Sequence, residues 1–260
     1  MSEVRNGEVT LHVEVDGEGE PVTVLAHGLT NSCRELAALT PTLAGTKVRF
    51  CFRGHGHSSV PESGYRFADF AGDLDAVARA YGATCAVGTS LGAGAICHLL
   101  QDDPERFERM VFLLPAGLDL PMARTDTLLA TAEVLERLPK DGAIEALLSD
   151  PGRAAAYVRQ PWLRDFDRAL WEDMNPTGVA RAIREVVDDH PVEDRELLRR
   201  VTAPVLLICR EGDWIHPAEL GRILADLMAN AELFMLADEL EMIAAIPELL
   251  RRVGAFLAGM

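Results

Sequence analysis

The sequence predicts an α/β fold in which a mostly parallel, doubly covered sheet carries an inserted helical cap, and three observations predict it. Short apolar runs alternate with amphipathic helical stretches along most of the 260 residues, the rhythm of a parallel sheet with helices on both faces. That rhythm stops between Gly117 and about Arg200, where helical periodicities follow one another without a strand-like run. Ser90 stands in Gly88-Thr89-Ser90-Leu91-Gly92, directly after the apolar run Cys85-Ala86-Val87 and before the helix-like stretch from Ala93 to Leu100. This is the pattern of a nucleophile elbow, a strand-to-helix turn so tight that small residues must flank the serine and let neighbouring backbone pass.

Taken in order, Val9, Leu11, Val13 and Val15 alternate as a first strand, and Asp16-Gly17-Glu18-Gly19 supplies a turn into Val22-Thr23-Val24-Leu25, so a hairpin is expected to open the chain. Further strands are expected over Val48 to Phe52, Thr84 to Val87, Met110 to Leu114, Val205 to Cys209 and Leu233 to Leu236. In the strand-free region, Leu128, Leu129, Ala132 and Leu135, and then Val179, Ala182, Ile183, Val186 and Val187, recur at helical spacing. Pro139, Pro151, Pro161, Pro176 and Pro191 start or stop its helices. The expected division is a core of residues 1–116 and 201–260 with a cap of 117–200, closed by a last helix with Pro247 in its first turn.

Composition bounds the function. With 48% hydrophobic and 25% charged residues the chain has the composition of a folded globular protein. A net charge of −16 disfavours nucleic-acid backbones and anionic membrane surfaces, which are bound through clustered Lys and Arg. A small-molecule or carrier-bound acyl substrate suits it better, on a monomer or homodimer. The N-terminus shows no apolar segment behind a basic start, so a cytoplasmic protein is the expectation. The 5 cysteines are odd in number and form no CxxC pair, which argues for reduced core thiols rather than a disulfide framework or a zinc site. No dinucleotide-type glycine fingerprint and no metal-ligand spacing is present, so no cofactor is expected.

Four ordered segments together resemble the α/β-hydrolase superfamily, with its enol-lactonases, small esterases and thioesterase-like enzymes: His27-Gly28, Arg53-Gly54-His55-Gly56-His57-Ser58, the Ser90 elbow, and Glu211-Gly212-Asp213-Trp214-Ile215-His216-Pro217. The resemblance implies Ser90 as nucleophile, an oxyanion hole from the backbone N–H groups of Leu29 and Leu91, and Asp213 as the acid that orients a base. His27 and His55 would shape loops. Trp162 in the cap and Trp214 beside Asp213 are candidates to line a substrate pocket, while Arg153, Arg159, Arg164 and Arg168 fit either a substrate carboxylate or a solvated helix face.

The sequence departs from that pattern where the base belongs. The family places a histidine after the last strand, about seven residues before the proline of the last helix, and here that segment reads Ala237-Asp238-Glu239-Leu240-Glu241-Met242, with no histidine anywhere after His216. A serine hydroxyl is a weak nucleophile without a base, and deleting a triad histidine costs on the order of 10⁶ in turnover. A second departure is Cys51, where the family often carries a loop-bracing aspartate. Three readings stay open. His216, three residues after Asp213, substitutes as base for hydrolysis of an ester, thioester or lactone of a small, largely apolar acid. Alternatively Glu241 occupies the vacant corner as a buried carboxylate base, which suits a lyase, isomerase, epimerase or cyclase. In the third reading the protein binds a ligand without turnover.

Overall fold

In the computed structural model, which describes residues 2–120 and 125–260, one eight-stranded sheet runs through the molecule in the order β1-β2-β4-β3-β5-β6-β7-β8. The strands are β1 (Ser2–Asn6), β2 (Val9–Asp16), β3 (Val22–Ala26), β4 (Thr46–Phe50), β5 (Cys85–Thr89), β6 (Arg109–Leu113), β7 (Val205–Arg210) and β8 (Ala231–Leu236). From β4 onward every pairing is parallel, and β1 and β2 add an antiparallel edge.

The sequence shows why the sheet is covered twice. Successive residues of the central strands are all apolar and divide between two cores. Val24, Ala86, Met110, Phe112 and Leu207 join one core, and Leu25, Val87, Val111, Leu206 and Ile208 the other. Side chains alternate between the faces of a strand, so a continuous apolar run needs partners on both sides. On the first face pack α1 (Phe67–Tyr81), α2 (Leu91–Asp102) and α8 (Ala218–Leu227). Leu249, Val253 and Leu257 of α10 (Ile246–Leu257) and the short 3-10 segment Ala37–Thr42 cover the second.

The expected opening hairpin is corrected. β2 does not pair with β3. It pairs antiparallel with β1 through the turn at Gly7 and with β4 on its other side. The physical reason is burial: every residue of β3 is buried, so β3 sits in the parallel centre between β4 and β5. β2 turns only part of its residues inward. β1, apolar only at Val4 and exposed at alternate positions, borders the sheet and carries no apolar pattern that marks a strand.

Between β6 and β7 the described residues form the α-helices α3 (Thr125–Arg137), α4 (Lys140–Leu148), α5 (Pro151–Arg159), α6 (Trp162–Trp171) and α7 (Pro176–Val186), followed by a 3-10 turn at Arg195–Arg200. Pro139, Pro151, Pro161 and Pro176 stand at or next to helix starts, where a missing N–H costs nothing. Asn175 caps α7 by accepting from the Gly178 N–H at 3.0 Å. This helix touches the core backbone to backbone: a Cβ on Gly178 would lie 2.0 Å from the Gly54 carbonyl oxygen.

That close approach yields a test. Gly178→Ala should force α7 away from the Gly54 loop and destabilise the protein by roughly 1–3 kcal/mol, a fall of several degrees in Tm. Gly142→Ala, in α4, meets nothing nearer than 3.7 Å and should be neutral or stabilising by about 0.5–1 kcal/mol. Thermal melts of the two variants compare them directly.

Candidate active site

The site lies where β3, β4, β5 and β7 end, at the carboxyl edge of the parallel strands, where open α/β sheets expose their loops. Ser90 joins β5 to α2 with φ 50° and ψ −108°, a region costly for a residue with a side chain. Its N–H donates to the Leu113 carbonyl at 2.9 Å, and its own carbonyl accepts the first helical bond from Gly94 at 3.0 Å. The flanking glycines are steric necessities. A Cβ on Gly88 would lie 2.5 Å from the Ala93 nitrogen, and one on Gly92 would lie 2.2 Å from the Ala26 carbonyl oxygen. The Ser90 hydroxyl does not cap the helix it precedes.

Its partner is instead His216. Nε2 of His216 lies 2.9 Å from Ser90 Oγ, and Nδ1 lies 3.3 Å from Asp213 Oδ2. Asp213 and His216 thus share the loop after β7. Asp213 organises that loop itself: Oδ1 accepts the backbone N–H groups of Ile215 at 3.0 Å and His216 at 2.9 Å. Arg210, at the end of β7, donates to Oδ2 at 2.8 Å, nearer than the imidazole. Burial alone would raise the Asp213 carboxyl. The hydrogen bonds and charge of His216, followed by the charge of Arg210, outweigh it and hold the group far below the ordinary carboxylate range.

Glu241 is not in this arrangement. It lies exposed in α9 (Glu239–Ala244). Its carboxylate accepts from the Ala237 N–H, while its own N–H donates to Asp238 at 2.8 Å. The expectation of a buried carboxylate beside Asp213 is therefore corrected: the acidic run forms a helix N-terminus, where carboxylates are stabilised by free backbone N–H groups.

The loop after β3 carries Leu29, and Leu91 opens α2; both are buried. The two histidines expected to be structural hold this region. His27 Nε2 accepts the Phe52 N–H at 3.1 Å, so its proton sits on Nδ1, which donates to the Gly28 carbonyl at 2.7 Å. Burial, and then the neighbouring His55, push His27 down to about 3, so its ring stays neutral. His55 bridges the Leu29 and Arg53 carbonyls at 2.6 and 2.7 Å. With Cys51 in the place of the usual aspartate, bracing comes from Arg53, which makes two bonds to the fully buried Asp73 at 2.7 and 2.8 Å.

Trp162 and Trp214 are each 46% exposed. Trp162 stands edge-on to Phe166 and donates to Gln160, and Trp214 sits between Asp213 and His216 in the chain. Three of the candidate arginines pair with acids of neighbouring helices: Arg153 of α5 with Asp167 of α6, and Arg164 and Arg168 of α6 with Glu145 of α4. All five cysteines are buried and unpaired.

Besides Arg210, Glu35 carries no signal in the sequence. Glu35 accepts from the Gly28 N–H at 2.7 Å and the Asn31 amide at 2.5 Å. A Cβ placed on Gly28 would be 3.5 and 3.6 Å from its oxygens and 3.7 Å from Ser90 Cβ. Burial pushes this carboxyl up to about 7 against those two hydrogen bonds. No motif marks it, because what it holds is a backbone N–H.

A family model for the alpha/beta hydrolase fold matches residues 21–243. The chain belongs to the α/β-hydrolase family. Among similar proteins, a 2-(acetamidomethylene)succinate hydrolase of Mesorhizobium japonicum is 37% identical over 221 residues, 79% of this chain and 76% of the relative. Solved structures that share the fold include two with high TM-scores. The enol-lactonase of Burkholderia xenovorans LB400 superposes with a TM-score of 0.83 at 21% identity, covering 99% of this chain and 100% of that one. An esterase of Exiguobacterium antarcticum gives 0.81 at 16% identity, covering 99% of each. The hydrolase relatives agree with a serine-hydrolase-like enzyme.

Glu35 gives the α/β-hydrolase a pH signature. Its carboxyl titrates near 4.5 when unperturbed and about 7 in the fold, so the native state favours the protonated form. That contribution is complete below pH 4.5 and is lost as the pH rises through 7. Glu35→Gln, isosteric and uncharged, should flatten the decline in Tm between pH 4.5 and 7.5 relative to wild type.

Proposed function

We propose that this protein hydrolyses an ester, thioester or lactone of a small, largely apolar acid through Ser90, with His216 as the base and Asp213 as its orienting acid. The observation that carries this reading is the 2.9 Å contact between His216 Nε2 and Ser90 Oγ, within the range a general base needs. Ser90 Oγ attacks the acyl carbon while His216 Nε2 takes its proton. The N–H groups of Leu29 and Leu91, the latter at the positive end of α2, receive the charge of the tetrahedral intermediate. His216 then protonates the departing alkoxide or thiolate. In the second half, water attacks the acyl-serine with His216 again accepting a proton, and the acid leaves as Ser90 is restored.

Asp213 stays ionised throughout and stabilises the imidazolium. Residues 117–200 serve as a cap over this site, with Trp162 and Trp214 as apolar contacts for the acyl group. A protein with −16 net charge draws neither nucleic acid nor anionic membrane, in keeping with a small or carrier-bound acyl substrate. The proton-transfer alternative through Glu241 loses its carrier, since that carboxylate is committed to a helix cap.

The test is hydrolysis of short p-nitrophenyl esters together with fluorophosphonate labelling read by intact mass. Ser90→Ala should abolish labelling, and Ser90→Ala and His216→Ala should each lower kcat by about 10⁴–10⁶. Asp213→Asn should cost on the order of 10⁴, and Glu241→Gln should leave kcat within about twofold of wild type, as expected of a surface change. Undiminished turnover in His216→Ala would overturn the role given to the histidine.

A further inference from the structure

A second cluster of reactive side chains lies away from Ser90, at the antiparallel edge of the sheet. His12 and Glu14 are two residues apart on β2, so they leave the same face, while Leu11 and Val13 point into the core on the other. Cys33 reaches them from the loop that follows β3. His12 Nε2 is 3.3 Å from Glu14 Oε1, and Cys33 Sγ is 3.6 Å from that same oxygen. All three atoms lie within 4.8 Å of one another.

Those separations have a chemical meaning. A tetrahedral zinc ion binds nitrogen at about 2.0–2.1 Å, oxygen at about 2.0–2.2 Å and sulfur at about 2.3 Å. Such an ion sets its nitrogen and oxygen ligands roughly 3.3–3.4 Å apart and its oxygen and sulfur ligands roughly 3.5–3.6 Å apart. The observed 3.3 and 3.6 Å edges fit that tetrahedron. The other Glu14 oxygen, Oε2, is held by Arg49 Nη2 at 2.9 Å, which orients the carboxylate and leaves Oε1 to bind, as outer partners do for metal ligands. His12 and Cys33 are buried, and His12 also lines a cleft with Ser2, Glu3 and His57.

We propose that His12, Glu14 and Cys33 form a binding site for a divalent transition-metal ion of the zinc and cobalt class. Thiolate and imidazole select such an ion over magnesium or calcium, which prefer oxygen. On binding, Cys33 releases its thiol proton to solvent, and His12 presents the Nε2 lone pair with its own proton on Nδ1. The negative charges of Glu14 and Cys33 balance the dication, and the ring of His57 stands edge-on 5.1 Å from that of His12. The ion would tie the sheet edge to the loop that begins at Leu29.

The experiment is a titration of tag-free protein with Co²⁺, kept reduced by a phosphine and followed by absorption. Wild type should saturate at one equivalent, with the near-ultraviolet charge-transfer band of a thiolate on cobalt and the visible bands of tetrahedral coordination. Zn²⁺ should displace both. Cys33→Ser should remove the charge-transfer band, Cys209→Ser, on β7, should retain it, and His12→Gln should weaken binding about tenfold or more. No charge-transfer band in wild type at one equivalent, or a band that persists in Cys33→Ser, would overturn the site. Should Cys33→Ser fail to fold, an unchanged Co²⁺ affinity in His12→Gln would overturn it equally.

Discussion

The contact between α2 and the end of β3 is the constraint on which the site depends. Gly92 sits against the Ala26 carbonyl with no room for a methyl group, and this closeness forces Ser90 into its positive φ. Relaxing it would move the first turn of α2, and with it Leu91 N–H and the Ser90 hydroxyl. The strain is sustained by burial on both sides of β5, since an over-determined neighbourhood is what lets a costly backbone angle persist.

A second feature follows from having Asp213 and His216 on one loop. In a triad assembled from distant segments, packing of separate elements sets the imidazole position. Here Asp213 accepts the backbone N–H groups of Ile215 and His216, so the carboxylate that faces the imidazole also shapes the turn that delivers it. Arg210 competes for the same Oδ2 and stands nearer to it than the ring does. It keeps the buried carboxylate ionised while drawing on the oxygen that orients His216. The geometry around Asp213 is thus a compromise between holding a buried charge and orienting the His216 ring.

Two buried histidines brace the opposite wall. His27 and His55 spend their ring nitrogens on backbone groups of the loops after β3 and β4, and Arg53 with Asp73 replaces the carboxylate that Cys51 does not supply. Glu35 reaches the Gly28 N–H from the side facing Ser90. Loops at a sheet edge carry backbone polar groups that water cannot reach, and each must be satisfied by a side chain from elsewhere.

The parallel strands and the Ser90 elbow could be read directly, because continuous apolar runs and a glycine-flanked serine encode burial and tight turns in local pattern. The edge was less legible: β1 and the pairing of β2 depend on which strand wins the buried centre, and that competition is not local. Asp213 and His216 were visible as neighbours three positions apart, yet nothing in the chain distinguished His216 from Glu241 as the group near Ser90. Segments 126 residues apart had first to be brought to one end of the sheet. Glu35, Arg210 and the His12, Glu14, Cys33 cluster are of the same kind. The sequence by itself determined the layers, the elbow and the chemical repertoire, because hydrophobic period and steric need act between near neighbours. Only the tertiary structure decided which side chains meet, because distance and burial arise when remote strands pack.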